Sequence, residues 1–169
     1  MKRDAGFTLI ETMIALGLLL VVATGILPLG LIAMNSTENQ GHLLARTVEY
    51  AQDKLEQLMT LSYGDQTSDT RVFPAADVGG SGLTIGGSAD PDAPVALYVD
   101  YLDPSGTLLP SDGTEEPDGW YYKRVWSVTQ AKALLKQITV TVTVRTAAAA
   151  GTGGIIPRAT VTVLKTSPF

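Results

Sequence analysis

The chain has 169 residues, room for one ordinary domain with an appendage, and carries a formal charge of −5. It contains no cysteine, which excludes a disulfide framework, a thiol nucleophile, a cysteine metal site and a lipidated cysteine as membrane anchor. Most of the acid lies between residues 65 and 118, and this acidic, aromatic-poor surface is the reverse of the basic stripe that nucleic-acid binding needs.

The first element is DAGFTLIETMIALGLLL, residues 4–20. From Thr12 to Met34 the chain holds 23 residues without a charge, a helix of about 35 Å against a hydrocarbon core of about 30 Å. Lys2 and Arg3 could form the basic region of a secretory signal, but the apolar run exceeds the roughly 7–15 residues of such a signal's core. A plain signal anchor fits the length equally well. Neither explains Glu11, because a carboxylate in such a segment costs roughly 2.5–3.5 kcal/mol at the bilayer centre.

A short basic leader ending in Gly6, then Phe7-Thr8-Leu9-Ile10-Glu11 and a long apolar run, resembles the class III signal of type IV pilins and type II secretion pseudopilins. The resemblance implies cleavage between Gly6 and Phe7 by a membrane-embedded prepilin peptidase, with N-methylation of the new Phe7 terminus. Gly6 suits a scissile site because it leaves the backbone accessible. The apolar helix then holds the subunit as a single pass in the inner membrane, head on the periplasmic side, until the assembly platform draws it out of the lipid into a filament core. Glu11 would pair with the Phe7 ammonium of a neighbouring subunit, so that neither charge is left alone in an apolar layer. Residues 1–6 are thus the leader and 7–34 the membrane and filament-core helix.

Gly25, Pro28 and Gly30 interrupt the apolar run, and Pro28 predicts a kink or local melting. A proline at this distance from the mature start is also common in type IV pilins, where that stretch loosens on assembly. Residues 35–63 read as the amphipathic half of the same helix, roughly 85 Å long if unbroken from Phe7 to Ser62. Leu44, Val48, Ala51, Leu55 and Leu58 form its apolar stripe, with Arg46, Glu49, Asp53, Lys54 and Glu56 mostly off it. Tyr63-Gly64-Asp65 ends the helix.

Residues 64–169 read as a loop-rich head. Residues 64–94 have the Gly, Ser, Asp and Pro content of a long surface loop. Strands are predicted at 95–102, 120–130, 136–146 and 158–166, forming one antiparallel sheet whose apolar face packs on the helix stripe. The fold class is therefore α+β, one long N-terminal helix on a small antiparallel sheet, the architecture that the pilin resemblance also implies. AQDKLEQLM (51–59) and the strand pattern of 120–166 are similar to the minor pilins called pilus-modification proteins and to minor pseudopilins.

Little else suggests chemistry. His42 is the single histidine and falls on the polar helix face, so a triad or histidine metal site has little to draw on. GGSG (79–82) and GTGG (151–154) precede no helix and read as flexible connections rather than phosphate loops. The acids of Asp90-Pro91-Asp92 and of Asp112 to Asp118 could offer oxygens to calcium, as some pseudopilins do, but they read first as solvated turns, and no metal or cofactor is assigned. Trp120, Tyr121, Tyr122 and Trp126 read as core-packing residues more than as a binding patch. The expectation is a non-enzymatic structural subunit, a minor pilin or pseudopilin, whose partners are other pilin subunits, the prepilin peptidase and the assembly platform. A major pilin is the alternative in the same class; a membrane-anchored enzyme or receptor is the alternative outside it.

Overall fold

The computed structural model describes residues 8–111, 113–145 and 156–167. Helix α1 runs Leu9–Thr60 and is followed, among the described residues, by six strands: β1 (Gly86–Gly87), β2 (Val99–Leu102), β3 (Leu108–Leu109), β4 (Tyr122–Lys132), β5 (Leu135–Val144) and β6 (Arg158–Thr166). The fold is α+β, and the chain divides into two compact units, Met1–Glu38 and Asn39–Phe169.

In the first unit, Leu9–Gly30 has a mean hydropathy of 2.3 and is long and apolar enough to cross a membrane. Its large side chains, including Leu9, Met13, Leu16, Leu20 and Ile26, are exposed. The polar atoms here are satisfied locally. Thr12 Oγ1 donates to the Leu9 carbonyl at 2.8 Å, and Thr24 Oγ1 to those of Leu20 and Val21 at 3.0 and 2.9 Å. Hydroxyls that turn back on their own helix leave a largely apolar surface for an outside neighbour. Pro28 lies inside α1, which remains helical on both sides of it.

The second unit is a sheet of strand order β3-β2-β4-β5-β6, with β1 paired to β4. All described pairings among its strands are antiparallel, from Val99↔Val125 in β2–β4 through Val140↔Val161 in β5–β6. Alternation sends Ile138, Val140, Val142 and Val144, with Tyr122, Trp126 and Val128, into the principal core beside Leu43, Ala51 and Leu58. Along β5 and β6 the opposite face carries threonines, where Thr139 meets Thr162 at 3.1 Å and Thr141 meets Thr160 at 3.0 Å.

Three expectations are corrected. The helix face turned to the core is Leu43, Thr47, Ala51, Lys54 and Leu58, while Leu44 and Val48 are 47% and 36% exposed. Neighbouring residues on a helix differ by about 100° in direction, so the true face is the predicted one turned by less than that angle. It tolerates polar members because each is satisfied: Thr47 Oγ1 donates to the Leu44 carbonyl at 2.8 Å, and Lys54 meets a carboxylate of the sheet. Second, the sheet is packed on both faces at its β2 end. Val99, Tyr101, Trp120 and Val125 form a separate cluster away from the helix. Third, residues 64–94 are more than a surface loop. They contain the fully buried Leu83 and strand β1, and Gly80–Gly82 is a close-packed stretch rather than a flexible connection. Gly82 has φ +51°, and a β-carbon there would sit 2.8 Å from the Asp65 carbonyl carbon. Only glycine accepts both the conformation and that approach.

Candidate functional site

Two constellations of polar groups are built into these units. The first is at the start of α1. Thr8 precedes the helix, the Glu11 N–H donates to Thr8 Oγ1 at 3.4 Å, and the Thr8 N–H donates to Glu11 Oε2 at 3.5 Å. The bonds are long, but their reciprocity is that of a capping box; the Glu11 N–H is shared with the Thr8 carbonyl at 3.1 Å. The carboxylate is turned back toward the positive end of the helix. A glutamate that had entered the sequence as an expense in an apolar run therefore has a local use as well.

The second constellation is inside the head. Lys54 comes from α1, Asp100 from β2 and Arg124 from β4, with side chains 0%, 1% and 2% exposed. Strand register explains the pairing, since Asp100 and Arg124 are direct cross-strand partners. Arg124 grips Asp100 with two parallel bonds, Nε to Oδ1 at 2.6 Å and Nη2 to Oδ2 at 2.9 Å. Lys54 Nζ donates to Asp100 Oδ2 at 2.8 Å, to Thr70 Oγ1 at 2.8 Å and to the Thr70 carbonyl at 2.7 Å, which uses all three of its protons. The ammonium also lies 4.0 Å from the centre of the Trp126 ring.

Burial pushes the Lys54 amine down to about 8, against the opposing pull of Asp100. Burial alone would raise the Asp100 carboxyl, but the charges of Arg124 and Lys54 outweigh it and hold the group below the usual carboxylate range. One buried anion thus faces two buried cations. The balancing charge is Asp53, half-exposed on α1, which accepts from Arg124 Nη1 at 2.9 Å.

Beside this network a cleft of about 560 Å³ opens between α1, the 71–73 segment and the β2–β3 hairpin. Its polar floor is Asp53, Gln57, Arg71 and Arg124, and Val72, Phe73, Leu108 and Pro110 supply apolar walls. Apolar walls around a few convergent polar groups make a binding surface.

Residues 1–27 match the prokaryotic N-terminal methylation motif. No curated protein and no solved structure matches the chain. The class III signal of type IV pilins is a motif of this kind, so the match supports a pilin- or pseudopilin-like precursor, and the helix that follows is long and apolar enough to span a membrane.

Within the methylation motif, Glu11 stands in the first turn of α1, while Gly6 and Phe7 lie outside the described residues. Pro28, just past the matched stretch, is exposed within α1. His42 is exposed. Asp90 Oδ1 accepts the Asp92 N–H at 3.1 Å and an Arg158 N–H at 3.3 Å; Asp112 and residues 151–154 lie outside the described residues. Trp120, Tyr122 and Trp126 are buried and Tyr121 is partly buried.

Sequence reasoning missed both the capping box and the buried ions. Thr8-Leu9-Ile10-Glu11 has the spacing of such a box and could have been found. Lys54 and Asp100 gave no comparable signal, because a charge within an amphipathic pattern reads as solvated until its partner on another element is known.

Proposed function

We propose that the chain is a minor subunit, a minor pilin or pseudopilin, of a type IV pilus or related filament. The prepilin peptidase cuts between Gly6 and Phe7, the new terminus is N-methylated, and α1 keeps the subunit in the inner membrane with its head on the extracytoplasmic side. The assembly platform then moves it into a filament with other pilin subunits. There Glu11 exchanges its capping partner for the Phe7 ammonium of a neighbour, which neutralises two charges in one apolar layer. Pro28 has no N–H to give the Thr24 carbonyl, so α1 has a weak point at which to loosen during that transfer. The head is structural, not enzymatic.

The observation that carries this reading is the methylation motif over residues 1–27, joined to a helix whose membrane-length segment exposes apolar side chains. The test is the mature N-terminus. Intact mass and N-terminal sequencing of chain recovered from its native membrane are expected to show a start at Phe7, one methyl group, and a complete apolar helix. A mature start beyond residue 23 would overturn the reading in favour of an exported protein whose apolar segment is discarded.

A further inference from the structure

The two edges of the sheet are unlike. β3 is an edge of two residues, whereas β6 is an edge of nine, and between Arg158 and Lys165 it carries no charge: Ala159-Thr160-Val161-Thr162-Val163-Leu164. The Val144 N–H donates to the Pro157 carbonyl, and the Ser167 N–H to the Leu134 carbonyl. Antiparallel pairing alternates, so the backbone groups of Ala159, Val161, Val163 and Lys165 turn toward β5 as well. Those of Arg158, Thr160, Thr162, Leu164 and Thr166 turn outward, and among the described residues no backbone bond reaches them. A long uncharged edge with free N–H and C=O groups is a template for one more strand.

The helix beside this edge is incompletely covered too. Lys165 Nζ donates to the Met59 and Leu61 carbonyls, which sets β6 beside the end of α1. Val48, Leu55 and Met59 fall within about 40° of one another around the helix, on the flank turned away from the cleft residues Asp53 and Gln57. Val48 and Met59 are exposed, and Leu55, Val161 and Val163 are only partly buried. A strand added to β6 would meet apolar surface on its helix side. Its other side would continue the face that bears the exposed Thr160 and Thr162.

Charge selects the kind of strand. From Gly119 to Phe169 the sequence has seven basic residues and no acidic one. At one end of β6, Arg158 makes only exposed contacts, with Asp90 at 3.3 Å and Asp92 at 4.0 Å. At the other end, Lys165 has carbonyl partners and no carboxylate. Antiparallel pairing with the β6 of a second copy would gather an arginine and a lysine at each end, and parallel pairing would set like against like. Both arrangements repel.

We propose that the free edge of β6 receives an extended segment of a different filament subunit, by strand addition. The main chain of that segment takes the outward N–H and C=O groups of Thr160, Thr162 and Leu164. Its alternate side chains are apolar toward α1, and an acidic residue near each end answers Arg158 and Lys165. The contact joins unlike subunits and does not repeat between copies of this chain. This rests on the filament-subunit reading, and it names a head contact separate from the one made by Glu11.

The test uses full-length chain in a native strain lacking the wild-type copy. Thr162→Pro removes an outward N–H and no bond to β5, and an edge strand accepts proline at such a position. It should lower the filament-borne fraction roughly tenfold, the scale of one lost ladder bond, with the circular dichroism of the chain unchanged. Thr160→Pro should repeat the loss, and Thr162→Val, which keeps the N–H, should enter filaments like wild type. With p-benzoylphenylalanine in place of Leu164, irradiated filaments should yield an adduct with a different subunit that carries its own class III signal. Mass spectrometry should place the link in an extended segment with acids near its ends. An adduct with a second copy of this chain, an adduct in a helical or basic segment, or no adduct would each overturn the docking. So would folded proline variants that enter filaments like wild type, or Thr162→Val falling as far as Thr162→Pro. Wild-type chain absent from sheared filaments would instead overturn the filament-subunit reading itself.

Discussion

The two compact units handle polar and apolar side chains in opposite ways. Leu9–Gly30 exposes its leucines, isoleucines and valines, and the hydroxyls of Thr12 and Thr24 are turned back onto helix carbonyls. The head buries Lys54, Asp100 and Arg124 at its centre, each almost wholly shielded from solvent. An apolar surface without cover is stable only where the surroundings are also apolar, in lipid or against other helices. A buried charge is tolerated only where its partners are fixed. The first unit is thus made to meet something outside itself, and the second is made to hold one geometry.

The sharpest way to break this contrast is to remove the shared anion. Asp100→Ala leaves the Lys54 and Arg124 cations buried, with only the half-exposed Asp53 near Arg124. Uncompensated buried charge of this kind costs about 3–5 kcal/mol, a large part of the stability of a small domain. The head is expected to melt much earlier or fail to fold, read by near-ultraviolet circular dichroism in detergent, while the helical signal of the apolar segment persists. Wild-type melting of Asp100→Ala would mean that the network does not organise the head.

The matching change in the first unit acts on assembly. Glu11→Ala removes a charge from an apolar layer, so membrane insertion should be at least as good as in wild type. Filament entry should fall sharply, because a neighbour's Phe7 ammonium would be buried alone at a cost of about 3–5 kcal/mol where the pair is desolvated. The ratio of sheared-filament to membrane-bound chain measures this. Equal ratios for variant and wild type would remove the assembly role from Glu11.

Next in size is the pH dependence of Lys54, whose amine is lowered from 10.5 to about 8 in the folded head. Between these values the unfolded chain binds more protons than the folded one, so stability rises with pH. From pH 8 to 10 the gain is about 2 kcal/mol. Above pH 10 the trend is opposed, since burial raises Tyr101 and Tyr122 to about 12 and the folded head then binds the extra protons. Denaturation midpoints at pH 8, 9 and 10 should climb for wild type and climb much less for Lys54→Met, where the lowered amine of Lys165 still adds a small rise. The variant still has Asp100 held by Arg124 but leaves the Thr70 carbonyl and hydroxyl without their lysine. Parallel profiles would show that Lys54 is not the titrating group.

These effects also mark what could be read before the structure. Val140, Val142 and Val144 alternate with threonines, and that period alone separates a core face from a polar face. The class III signal was legible because it is local: Gly6, Phe7 and Glu11 stand in a fixed spacing within one short stretch. The head's ion network is not local. Asp100 sits between Val99 and Tyr101, and nothing within 99–102 says which strand will lie beside it. Only the register that sets Asp100 against Arg124 gives those charges a meaning. The helix face was misjudged for the same reason. Leu44 and Val48 satisfy the period as well as Leu43 and Thr47 do, and the choice falls to Lys54, which must face Asp100. The cleft likewise depends on elements distant in sequence.

The smallest effect expected is also the most local. Thr8→Ala removes the hydroxyl that accepts the Glu11 N–H and leaves that donor with the carbonyl of residue 8 alone. Loss of a threonine cap costs about 0.5–2 kcal/mol, and cap effects fade within a single turn. The first turn of α1 should fray, seen as faster amide exchange at residues 9–12, while the melting temperature of the head stays where it was. Glu11 would keep its charge and the backbone N–H of residue 8 that its carboxylate accepts, so filament entry should fall only slightly, far less than for Glu11→Ala. Thr8→Ser, which retains the hydroxyl, should restore the slower exchange. If Thr8→Ala blocks assembly as completely as Glu11→Ala does, the Thr8 hydroxyl has a use beyond the first turn, and Thr8 counts as part of the assembly site rather than as a cap.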